Sequence, residues 1–140
     1  MKLFLAFGLL LLTALPASAQ SADVFVKGNG PQCWLDVREI VHRRAKDVTE
    51  DNQLQTLRAG HFSTAAGDLF LTVQALTEKN KKGEEGCRIY VQVEGGGSLG
   101  TKGQVVNDLS NNTRIANSIA AEVASMQKAR EKKEKKGANS

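Results

Sequence analysis

The chain has 140 residues, with 19 Lys and Arg against 15 Asp and Glu and a formal net charge of +4. Only 5% of its residues are aromatic, and beyond residue 20 these are Phe25, Trp34, Phe62, Phe70 and Tyr90. So sparse a set offers few stacking platforms for bases or sugars, and a chain of this length supports one modest core.

The opening MKLFLAFGLLLLTALPASAQ reads as an export leader. Lys2 gives a positive start, Leu3 to Leu15 form an apolar run, Pro16 ends it, and Ala17-Ser18-Ala19 is a small-x-small cleavage site. The run is short for a bilayer span and no second long one follows, so an integral membrane protein is not expected. The expected boundaries are 1–19 as signal peptide, 20–127 as a single α+β domain and 128–140 as a basic charged tail. The expected location, after cleavage near Ala19, is periplasmic or secreted.

Along the body, DVFVK (23–27) is a short strand candidate, and GNGP (28–31) breaks the chain with Pro31 placed to open a helix. From Gln32, Cys33, Val37, Ile40, Val41 and Ala45 recur at three- and four-residue steps, which predicts a helix. Asp36, Arg38, Glu39, His42 and Arg43 are assigned to its water face. TEDNQ (49–53) reads as a polar break, LQTLRAGHF (54–62) as a weak edge strand and STAAG (63–67) as a turn. DLFLTVQALT (68–77) and CRIYVQVE (87–94) alternate as strands, with Leu69, Leu71, Val73, Ala75 and Cys87, Ile89, Val91, Val93 on their apolar faces. EKNKKGEEG (78–86) joins them as a long mobile loop. QVVN (104–107) is one more short strand candidate. Asp108 or Ser110 caps a last helix in which Ile115, Ile119, Val123 and Met126 form a stripe, and which runs to about Lys133.

Gly95 to Gly100 fits G-x-G-x-x-G, but the chemistry of that motif needs a helix N-terminus directly after the loop inside a βαβ unit, and Lys102-Gly103-Gln104-Val105 is not a helix start. The loop is expected to be a connector or a place where glycines bend the sheet. His42 and His61 are the only histidines. No metal-ligand spacing and no G-x-S-x-G elbow is present, so no catalytic residue, metal or cofactor is expected.

Cys33 and Cys87 are the two cysteines, and in an oxidising compartment they are expected to pair. Trp34 is expected to pack beside them. The tail KAREKKEKKGANS sets Lys128, Arg130, Lys132, Lys133, Lys135 and Lys136 against Glu131 and Glu134, a net +4; with Lys2 lost to the leader, residues 20–127 carry −1. The six basic residues are the candidate contacts to an anionic surface, diluted by the two acids. Nucleic acid is not an expected partner, because no aromatics interleave with the lysines.

The expected fold is therefore α+β: a small antiparallel sheet of three to four strands packed against an N-terminal helix and a long C-terminal helix, with one disulfide. The expected function is that of an exported, non-enzymatic accessory or binding protein of the cell envelope, its partner a protein or an anionic envelope component. The alternative is a small secreted hydrolase inhibitor that presents the 78–86 loop or the glycine loop.

Overall fold

The alternating strands place every second side chain on one face, and two helices cover that face. A computed structural model describes residues 21–65, 67–96 and 109–138. The elements run β1 (Ala22–Lys27), α1 (Gly30–Arg44), β2 (Asp47–Asp51), β3 (Thr56–Thr64), β4 (Gly67–Lys79), β5 (Glu85–Gly96) and α2 (Leu109–Ala138). The strands form one five-stranded antiparallel sheet in the order β1-β5-β4-β3-β2. The leader, most of the glycine loop, QVVN and Asp108 lie outside the described residues.

The α+β architecture is as expected, but the strand count is five rather than three to four. The two differences lie side by side. The stretch read as a polar break contains most of β2, a short acidic edge strand in which Val48 and Glu50 turn partly inward while Asp47, Thr49 and Asp51 face water. Short charged strands are how sheets protect their edges, so this strand lacks an apolar signature. The stretch read as a weak edge strand is β3, which is interior, paired with β2 on one side and β4 on the other. Its alternation is interrupted by a bulge between Ala59 and Phe62, with His61 at φ 53°. The bulge sets Leu57, Ala59 and Phe62 all on the core side, a spacing that a strict period of two does not recognise.

A second bulge lies between Phe70 and Leu71, opposite Gly95 at φ 148°. Gly95 and Gly96 are thus the last rungs of β5, paired with Phe70 and Leu69. The positive φ makes glycine the fitting residue at this bend.

The core lies between the sheet and the helices. Leu71, Val73, Ala75, Ile89, Val91 and Val93 are buried as the alternation predicts, and Val37, Ile40 and Val41 of α1 with Ile115, Ile119 and Val123 of α2 cover them. Each large aliphatic side chain buried here contributes roughly 1.5–3 kcal/mol. Asn29 caps α1 by accepting from the Gln32 N–H at 2.9 Å, and Pro31 sits in the first turn. α2 begins at Leu109, so Ser110 lies within the helix and is not its cap, and the helix continues past the predicted end at Lys133 to Ala138.

Asn112 pins the start of α2 to the sheet. Its side chain is fully buried, and its Oδ1 accepts the Val93 N–H at 2.8 Å, beyond the last β1–β5 pair at Ala22 and Val91. Asn112→Ala strands that buried N–H and should cost about 1–3 kcal/mol. A denaturant titration checks this; an unchanged midpoint would contradict the role.

The 78–86 segment is also tighter than expected. β4 and β5 extend into it and leave a turn of residues 80–84. Asn80 Oδ1 accepts the N–H groups of Lys82 and Glu84 at 3.0 and 2.9 Å, and Gly83 takes φ 79°. Lys27 pairs with Glu84 and fastens the turn to β1.

Candidate functional site

Both helices lie on one face of the sheet, and among the described residues no element covers the other face. Its side chains come from the intervening positions: Asp23 and Phe25 of β1, Thr56 and Arg58 of β3, Phe70, Thr72 and Gln74 of β4, and Arg88, Tyr90, Gln92 and Glu94 of β5. A hollow of about 550 Å³ on this face is lined by Ser21, Asp23, Thr56, Thr72, Gln74, Tyr90, Val91 and Gln92. Beside the Tyr90 ring and Val91, the lining carries hydroxyls, carboxamides and one carboxylate, groups that recognise a polar ligand by hydrogen bonds.

Ion pairs frame the hollow. At the β1 side, the Arg88 Nε donates to both Glu78 carboxylate oxygens at 3.1 Å, and its Nη1 donates to Asp23 Oδ1 at 3.1 Å. These bonds, the one to Glu78 foremost, raise the Arg88 pKa further. At the β3 side, Glu94 accepts from Thr72 Oγ1 at 2.7 Å and from Arg58 Nη2 at 3.0 Å. The Thr72 hydroxyl, followed by Arg58, holds the Glu94 carboxyl below its ordinary range. Burial, followed by the nearby Glu78 charge, pushes the Tyr90 phenol up, so Tyr90 stays neutral at physiological pH and both donates and accepts.

The histidines lie on different elements and each faces its own carboxylate. His42 on α1 contacts Glu50, which also accepts two bonds from Arg38 at 3.0 and 2.8 Å; Arg38 first and His42 second keep Glu50 below the usual carboxylate range. His61 Nδ1 is 3.8 Å from Asp68, with the Phe70 ring 5.1 Å away. Among the described residues, no group of three or more His, Cys, Asp or Glu side chains is placed to hold a metal ion.

Cys33 and Cys87 are joined in a disulfide, with Cα atoms 6.1 Å apart, which ties α1 to β5. Both are fully buried, and the neighbouring Trp34 is buried in the same core. The six basic candidates are split in two. Lys128, Lys132, Lys133, Lys135 and Lys136 are exposed along the end of α2. Arg130 instead points to α1, where Nη1 and Nη2 donate to the Asp36 Oδ1 and Oδ2 at 2.9 and 2.5 Å.

That contact corrects the assignment of Asp36 to the water face of its helix: its side chain is 2% exposed. Gln32 Nε2 donates a third bond at 3.1 Å, so the buried carboxylate is well partnered. The signal was present in the spacing, since Asp36 follows Cys33 by three residues and precedes Ile40 by four, on the buried stripe. The partner was not legible, because Arg130 lies 94 residues away. Around the pair, Gln127, Arg130, Glu131 and Glu134 of α2 face Lys27, Gly28, Asn29 and Gln32 across a cleft of about 320 Å³.

No helix among the described residues is long and apolar enough to cross a membrane. No protein-family model matches the chain, and no curated protein matches it.

Proposed function

We propose that this protein is an exported, non-enzymatic accessory protein of the cell envelope, and that it holds a partner on the open face of its sheet. The hollow between Asp23, Thr72, Gln74 and Tyr90 carries this reading, because it sets several hydrogen-bonding groups on the strands of a disulfide-tied scaffold. Two further features support export: the leader-like first nineteen residues and a disulfide of the kind that persists outside the cytosol. The uncharged groups of the lining suit an extended peptide or another polar chain laid across the strands.

Position-specific photo-crosslinking in the producing organism tests the reading. A photoreactive residue at Gln74 or Gln92 should trap one discrete adduct, whereas the same residue at Glu39, exposed on α1, should not. Equal adducts from both faces, or none from the sheet face, would contradict it. An adduct with a hydrolase formed instead from Lys81, at the tip of the 80–84 turn, would favour the inhibitor alternative.

A further inference from the structure

We infer that the outer face of the last turns of α2 is a docking surface for an anionic phospholipid membrane. This rests on the reading that the protein meets a cell envelope, but it uses residues remote from the sheet hollow. Successive residues of a helix are turned by about 100°. On that wheel Lys128, Lys132, Lys135 and Lys136 fall within an arc of roughly 100°, with Lys133 beside it. Ile119, Val123 and Arg130 lie on the opposite side, against the body. The Arg130–Asp36 pair fixes the rotation of the helix, so the lysine arc is held outward.

Neither acid of the segment falls within the lysine arc: Glu134 lies on the side of Arg130, and Glu131 at the edge next to Lys135. Glu131 and Glu134 line the cleft toward Lys27, Asn29 and Gln32, together with Arg130. The arc of Lys128, Lys132, Lys135 and Lys136 is itself purely cationic, with Glu131 at one edge of it and Lys133 beyond the other.

The shape and chemistry of the face favour a membrane over a folded acidic partner. The lysines are all exposed on one side of a helix, where a flat layer of headgroups can meet them together. The cations of the face are lysines, compact point charges suited to a diffuse layer of headgroups, and not guanidinium forks for bidentate pairing. The only apolar residues from 128 to 138 are Ala129 and Ala138, so the helix would rest on the headgroups without inserting. Each lysine near such a surface strengthens binding by about fivefold. Docked in this way, the helix layer faces the membrane and the open sheet face points away from it.

The test is sedimentation of the full chain with vesicles of phosphatidylcholine alone and of phosphatidylcholine mixed with phosphatidylglycerol, at low and at high salt. Binding should require phosphatidylglycerol and should weaken as salt rises. Replacing Lys132, Lys133, Lys135 and Lys136 together by Gln should reduce affinity by several hundredfold, on the order of fivefold for each lysine, and leave the melting temperature unchanged. Equal binding to both vesicle types, or a fourfold variant that binds like the parent, would overturn the assignment. Binding to soluble poly-glutamate without binding to vesicles would overturn it as well and assign the face to an acidic protein. Failure of the sheet-face crosslink alongside intact vesicle binding would remove the proposed partner site and not this one.

Discussion

Reducing the disulfide, or replacing Cys33 and Cys87 together by Ala, should destabilise the protein by about 4 kcal/mol on the chain-entropy model for a loop of this length. The cysteines are separated by 54 positions, and the loop they close contains β2, β3 and β4. In the unfolded chain the bridge removes the freedom of that whole segment. In the folded chain both sulfurs are buried between α1 and β5, so their loss also leaves packing defects. Domains of this size have about 5–15 kcal/mol of stability in total, so the loss is a large fraction. Thermal melts with and without reductant check it. Coincident melts would show that the bridge contributes nothing to the folded state.

Arg130→Ala should cost roughly 3 kcal/mol, at the lower end of the range for breaking a buried ion pair because the arginine is itself partly exposed. Asp36 would keep one donor, Gln32, for a carboxylate that is otherwise shut off from water. Ending the chain after Gln127 should cost at least as much. Arg130→Lys should fall in between, since it restores charge without the two-pronged geometry. Replacing both partners with apolar residues, Asp36→Leu with Arg130→Met, should recover most of the loss. Denaturant midpoints for the four variants report the series. If the truncated and Arg130→Ala proteins unfold at the parent midpoint, residues 128–138 are a solvated extension and the docked cleft is not part of the stable structure.

Much of the fold was legible because burial imposes simple periods on the chain. The β4 and β5 faces followed from strict alternation, and the apolar stripes of α1 and α2 from steps of three and four. β2 escaped because an acidic edge strand resembles a loop, and β3 was read as a weak edge strand, not an interior one, because the bulge at Gly60 and His61 breaks the period of two. The 80–84 turn looked mobile because its order comes from one side chain, Asn80, bonding its own backbone. For the candidate surfaces, the lysine arc was visible but the direction it faces was not. That direction depends on how α2 is rotated about its axis, which the Arg130–Asp36 contact sets. The hollow was invisible for a different reason: its lining comes from β1, β3, β4 and β5, and from the side of each strand that carries no apolar pattern.

The proposed function requires that the chain leave the cytosol and be held by one covalent bridge. The most direct measurement is the intact mass of the protein isolated from its producing organism under non-reducing conditions. The expected mass is that of a chain beginning at Gln20 with two hydrogens fewer than the dithiol form. A chain that retains residues 1–19 and carries free thiols at Cys33 and Cys87 would contradict it.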